Sequence, residues 1–330
     1  MGYTSQVRNA GHIRNRGYEI QLGAVPIQTS KGFRWNLDLN YGANSSKVVK
    51  LDDEGLITSY QLYSSGIQIL ASVGEAYGTL FGTSYVRDAN GNVVVDANGL
   101  PKISTTNKTL GKFTPDWTGG ISNTFSYRSL SLSFLIDASV GGSIFSNTNK
   151  TGKYTGVLAN TLSGRDAEHG GLWYYTAAMG NNVRLPESPS YSVSSDGLYY
   201  AQVNGQSTRV YQDGIMVEGV TESGSKNEEV VSAEKYYHRI YSIAEANVYD
   251  ASYVKLREVA LSYRLPRLWT QKLHLQEASV TLTGRNLWTI YKSVPNIDPE
   301  SALTTGNAQG VEAYSLPTTR SFGVNLSVKF

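Results

Sequence analysis

The chain alternates apolar and polar residues over long stretches. From Phe33 the odd positions read Phe33, Trp35, Leu37, Leu39, Tyr41 and Ala43, and the even positions read Arg34, Asn36, Asp38, Asn40 and Gly42. From Leu130 one face reads Leu130, Leu132, Phe134, Ile136, Ala138 and Val140. The other holds Ser131, Ser133, Asp137 and Ser139, with Leu135 as the exception. The chain ends with Phe322, Val324, Leu326, Val328 and Phe330 set against Ser321, Gly323, Asn325, Ser327 and Lys329. A period of two puts one face of each segment in an apolar phase and the other in water. Wound as helices, the same residues would be scattered around the axis.

This pattern predicts seven long strands, at about 17–25, 33–46, 117–127, 130–141, 250–265, 277–290 and 319–330. Their connections run short (26–32), long (47–116), short (128–129), long (142–249), short (266–276) and long (291–318). In an up-and-down meander, alternate connections lie at opposite ends, so all short turns fall at one end and all long loops at the other. The expected fold is therefore all-β: an antiparallel up-and-down transmembrane β-barrel segment with short periplasmic turns and long extracellular loops. Aromatic residues sit near the strand ends (Tyr18, Phe33, Trp35, Trp117, Tyr127, Trp288, Tyr291, Phe322, Phe330), where they would form the two girdles of such a barrel. A soluble β-sandwich is the competing reading, but it would leave long polar sheet faces exposed.

Composition agrees. Of 330 residues, 33 are Gly and 23 are Tyr, a mixture that favours strands and turns. There is no Cys, so disulfide frameworks and thiolate metal sites are excluded. A net charge of +2 gives no field suited to nucleic acid. No stretch approaches the ~20 apolar residues of a membrane helix, which says nothing against a strand-spanning protein. The opening MGYTSQVRNAGHIRNRGYEI has no apolar core of an export signal, so either the protein is not exported or the chain lacks its true N-terminal part.

Enzyme chemistry finds little support. The four His residues form no HExxH, and there is no GxSxG elbow. Asp166, Glu168 and His169 lie together in GRDAEHGG, where a solvated loop is the simpler reading than a metal or acid–base cluster. In RDANGNVVVDANGLP, Asp88, Asn90 and Asn92 suggest calcium, but the twelfth position of an EF-hand register is Gly99 rather than an acid. The pairs Asn90-Gly91 and Asn98-Gly99 instead supply the positive φ angles of tight hairpins. No catalytic residue, metal or cofactor is expected.

Several segments resemble one family. DASYVKLREVALSYRLP (250–266), LTGRNLWTIYKSVPNIDPES (282–301) and LPTTRSFGVNLSVKF (316–330) are similar to successive closing strands of the SusC/RagA-like TonB-linked outer-membrane proteins. RNAGHIRNRGYEIQL (8–22), SVGEAYGTLFGTSYVRDANGNVVVDANGLP (72–101) and GKFTPDWTGGISNTFSY (111–127) also resemble family segments. The likeness is weakest over about 142–235. It implies an importer of glycans or peptides in the outer membrane of a Gram-negative bacterium. Such a protein has a signal peptide, a TonB-contacting segment, a plug domain and a filled barrel of roughly 22 strands. On this resemblance residues 1–330 are expected to be only the C-terminal part of that barrel, with Met1 an internal start and without the signal peptide, TonB box and plug.

The resemblance also implies partners: outer-membrane lipid, a SusD-like surface lipoprotein, the TonB complex through the plug region, and an oligosaccharide or peptide substrate. Candidate substrate-binding residues in the second long loop are Arg165, Trp173, Tyr174, Tyr175, Asn181, Tyr191, Tyr199 and Tyr200, since rings give large contact area at low entropic cost. These rings could equally pack the loop's own small core. Arg34, Asp38, Arg128, Asp137, Arg257 and Arg285 would face the lumen, against a plug or simply wet. Phe330 resembles the terminal aromatic that the outer-membrane assembly machinery reads. Two alternatives stand beside nutrient import: a non-transporting surface barrel for adhesion or passive diffusion, and an outer-membrane hydrolase.

Overall fold

A computed structural model describes residues 11–272 and 274–330. The first three residues of the segment 8–22, the opening of the N-terminal stretch and Leu273 lie outside the described residues. Seven strands form one antiparallel sheet: β1 His12–Gln28, β2 Phe33–Lys50, β3 Trp117–Tyr127, β4 Leu130–Val140, β5 Tyr253–Arg264, β6 Glu277–Lys292 and β7 Ser321–Lys329. Each pairs with its sequence neighbours, so the sheet is a meander with β1 and β7 at its edges. Residues 29–32, 128–129 and 265–276 join strands at one end, and the three long connections lie at the other, as the alternation of lengths predicted.

The register carries the face pattern across the whole sheet. Ile27, Trp35, Phe125, Leu132, Leu261, Leu282 and Val324 form one continuous row, one residue from each strand. On the opposite face, Gln28, Arg34, Ser126, Ser131, Ser262, Thr281 and Asn325 form a polar row through the same registers. Polar neighbours there satisfy one another, as in Ser126–Ser131 (3.2 Å) and Ser262–Thr281 (2.8 Å). Asn123 is the polar intruder on the apolar face. It is buried, and its Oδ1 accepts from Trp35 Nε1 at 3.0 Å, so its amide oxygen is not left unpaired.

Register shifts at β5 and β6 explain two sequence motifs. Leu256 pairs with Ile136 and Glu258 with Leu135, which leaves Arg257 as an extra residue. A bulge of this kind puts two successive side chains on one face. Arg257 (to Asp137) and Glu258 (to Arg285) accordingly both reach polar-face partners. In β6, Asn286 takes φ +52° and Leu287 folds back over Gly284. A Cβ on Gly284 would come within 2.9 Å of Leu287 Cδ2, so the Gly-Arg-Asn-Leu run is a built irregularity of the wall.

Some expectations need correction. β1 starts at His12 and β2 continues to Lys50, beyond the expected 17 and 46: the ladder goes on through the Ile13–Val48 pair, and Val48, fully buried, meets the first long connection, its N–H donating to Glu75 O at 2.9 Å. The short turn 266–276 contains a helix, α3 Arg267–Lys272. Arg128 is not a strand residue of the lumen face: it lies in the two-residue hairpin at φ +54°, its guanidinium 5.3 Å from the Tyr127 ring centroid. In both Asp-x-Asn-Gly turns only the glycine has positive φ, Gly91 at +87° and Gly99 at +75°. The Asp88 carboxylate is occupied by its own turn, accepting from Asn90 N (2.9 Å), Asn92 N (2.8 Å) and Asn92 Nδ2 (3.0 Å).

The long connections are themselves folded. Helices α1 Asn147–Tyr154 and α2 Ala233–Tyr241 and several short strands build a cap over the loop end. Ile67, Ile69 and Leu80 from the first connection, Phe145 and Ala244 from the second and Val311 from the third form one buried cluster. Val311–Glu312 also pairs with Ser143–Ser146, joining the second and third connections by a ladder.

Candidate functional site

Within the second connection, strands Leu172–Thr176, Tyr199–Val203 and Gln206–Met216 belong to one small sheet. Gln206–Met216 alternates. Val210 packs in a core with Trp173 and Ala201, and the run Arg209–Asp213 borders a cleft. The cleft has a volume of about 580 Å³ and is also bounded by Arg165, Asp166, Glu168 and Tyr199. That size is in the range of small-ligand sites. Arg209 lies 4.9 Å from the Tyr211 ring centroid, and Tyr211 stacks on Tyr174 at 5.2 Å. The Tyr174 hydroxyl donates to Asp213 Oδ1 at 3.0 Å; burial and the Asp213 charge push its pKa up. Asp166 is held below the usual carboxylate range, chiefly by its hydrogen bond with His169, Oδ1 to Nδ1 at 2.7 Å. The Asp166/His169 pair is thus a local turn device.

The candidate residues divide. Trp173 is buried and contacts the half-exposed rings of Tyr191 (centroids 4.9 Å apart) and Tyr199 (5.5 Å, edge-on). Tyr174 is buried beneath the cleft, and Tyr175 packs on the Trp173 core. Tyr200 lies in the ladder opposite Ser192 and Arg209. Asn181 sits in a turn, its carbonyl accepting from Ala177 N at 2.8 Å. Arg165 is on the cleft rim and braces the loop through Gly156 O (2.7 Å) and Thr161 Oγ1 (3.1 Å). Phe330 follows β7 and is 84% exposed. Of the eight loop candidates, the cleft lining includes only Arg165 and Tyr199. Arg209, Tyr211 and Asp213 were missed, although their own spacing of two was legible.

A second polar centre ties cap to wall. Lys255 of β5 is buried, and its Nζ donates to Asp298 Oδ1 and Glu300 Oε2, each at 2.6 Å. Glu300 also accepts from Tyr253 Oη (2.8 Å) and pairs with Arg257, which reaches Asp137 at 2.7 Å. Burial works to raise the Asp298 pKa, but hydrogen bonds from Lys255 and Thr318 outweigh it and hold the carboxyl down at about 2. The VKLRE and IDPE motifs are therefore two halves of one charge cluster. Arg285 lies apart from it, bound to Glu258 at 2.8 Å.

No protein-family model matches the chain. It is similar over its whole length to two curated proteins of Formosa agariphila: 26% identical over 358 residues to TonB-dependent receptor P3 and 25% over 357 residues to TonB-dependent receptor P26. It covers 30% of each, so it spans under a third of the length of these relatives. Among solved structures, 99% of the chain superposes on 30% of a chain of the RagAB peptide transporter, with TM-score 0.55 and 18% identity. The same share superposes on 31% of a chain of the RagAB peptide importer in its closed-closed state, with TM-score 0.57. The chain thus has TonB-dependent receptors as homologues along all of its length and the fold of a segment of the RagA-type β-barrel.

Proposed function

We propose that this chain supplies part of the wall and the extracellular cap of an outer-membrane importer that takes up a nutrient oligomer, glycan or peptide, with energy delivered by TonB. The observation that carries this is the seven-strand row of apolar side chains on one face, backed by a polar face and crowned at one end by a folded cap holding a polar–aromatic cleft. The homology to TonB-dependent receptors supports the energy source. In this reading residues 1–330 are the C-terminal part of a larger barrel. A SusD-like lipoprotein covers the cap, and a plug encoded elsewhere in the protein contacts TonB.

Substrate contact falls to the half-exposed rings of Tyr191 and Tyr199 and to Arg165, with Arg209 and Tyr211 added from the cleft. Trp173, Tyr174, Tyr175, Tyr200 and Asn181 shape the surface that presents them. In the full-length protein, Tyr199→Ala and Arg209→Ala should each weaken binding of the imported oligomer on the order of tenfold, measured by calorimetry on the detergent-purified receptor. Unchanged affinity in both would remove the cleft from the substrate path. Uptake that persists without TonB would overturn the import mechanism itself.

A further inference from the structure

The turn end of the wall has a composition unlike the rest of the chain. Residues 29–32, 128–129 and 265–276 contain Lys31, Arg128, Arg267 and Lys272 and no Asp or Glu, in a protein with 29 basic and 27 acidic residues. All four cations are exposed, and none forms an ion pair with any described residue. The nearest acid along the chain, Glu277, is bound to Arg264 at 2.8 Å.

α3 lies among these cations and displays Leu268 (73% exposed) and Trp269 (58%). It is held firmly. Thr270 is buried, Trp269 N and Thr270 N donate to Pro266 O (2.9 and 3.3 Å), and Leu275 N donates to Thr270 O (2.9 Å). Gln276 N, just beyond, donates to Lys329 O of β7 at 2.8 Å. A braced helical turn that presents Leu and Trp between Arg and Lys has the make-up of an interfacial membrane element. The apolar face runs straight into it: its outermost row, Tyr127, Leu130, Tyr263, Val280 and Leu326, abuts the turns.

We infer that α3 and the basic turns form a surface anchor that docks on a bilayer leaflet carrying anionic phospholipid. Leu268 and Trp269 enter the headgroup boundary, and Lys31, Arg128, Arg267 and Lys272 meet lipid phosphates. This rests on the membrane reading of the apolar face. Charge complementarity and continuity with that face select lipid over a protein partner, whose interface would be depleted in Lys.

The test uses the full-length receptor in vesicles of phosphatidylcholine, with or without one third phosphatidylglycerol. Difference fluorescence between parent and Trp269→Phe isolates Trp269, and Phe322→Trp places a reporter on the apolar face. Headgroup-proximal brominated lipid should quench Trp269, and deep-brominated lipid should quench the Phe322→Trp reporter. Replacing the four cations with Gln should abolish the preference for phosphatidylglycerol, on the order of fivefold per charge, while heat-modifiable mobility shows the barrel still folded. Loss of quenching at the Phe322→Trp reporter overturns the membrane reading. Quenching there but not at Trp269 overturns the anchor alone. Quenching at both with no lipid preference overturns the anionic headgroup, and Trp269 shielded by a co-purifying protein replaces lipid with that partner.

Discussion

The wall and the cap obey opposite rules. In the wall, large apolar side chains are displayed: Phe322 is 81% exposed and Val324 74%. In the cap a core forms: Phe145, Ile69 and Leu80 are fully buried. Of the described wall residues, only Val48 and Ala278 are buried hydrophobics. One chain thus carries two solvents' worth of design. The wall relies on a surrounding apolar phase to cover one face, and the cap makes its own core because it stands in water. The wall gathers hydroxyls and charges on one face, whereas the cap buries several of its own, Ser146, Asn149, Asn247 and Glu312 among them.

The comparison can be broken most forcefully in the cap. Phe145→Ala removes the ring at the centre of the cluster shared by all three long connections, at a cost of about 3–5 kcal/mol. The cap should become sensitive to protease while the full-length barrel keeps its heat-modifiable mobility. Joint loss of both would show that cap and wall fold as one unit.

In the wall, Phe134→Arg places a charge on the apolar face, at about 2–4 kcal/mol near a bilayer midplane. Ser133→Arg, one residue away, meets the polar face and should be tolerated. Assembled protein in the outer-membrane fraction should fall far more for the first. Equal yields would reverse the face assignment.

Smaller effects sharpen the boundary. Trp35→Phe strips Asn123 of its donor on the apolar face and should lower stability by about 1–3 kcal/mol, whereas the double change with Asn123→Leu should recover most of it in urea unfolding of the full barrel. The seam between the regions depends on acid. Because folding lowers the Asp298 pKa to about 2 from an ordinary 3.8, its contribution is complete above about pH 4 and disappears as pH falls through 2. Hydrogen exchange in 293–320 should accelerate over that window, with the β3 and β4 amides unchanged. The smallest effect expected is deletion of Phe330. If this residue is read as an assembly signal, outer-membrane insertion falls with synthesis unchanged, and Val328→Ala does not reproduce the defect.

Alternation alone determined the wall. A strand between lipid and water must alternate, so β3, β4 and β7 were legible from residues such as Phe134 and Ser133, and connection lengths then fixed which ends the turns and loops share. The ends of β1 and β2 were not legible, because Val48 is buried there where it meets the first long connection, a contact that no local period announces. The cap was likewise decided only in three dimensions. Phe145, Ile69 and Val311 come from connections far apart in sequence, and no local pattern announces that they meet. The same holds for the candidate site. Sequence supplied the aromatic residues of 165–200, but only packing separated Trp173 and Tyr174, buried in or beneath the loop's core, from Tyr199 and Arg209 on the cleft. It also turned the distant VKLRE and IDPE motifs into one charge cluster, since burying Lys255 is tolerable only where two carboxylates arrive to meet it.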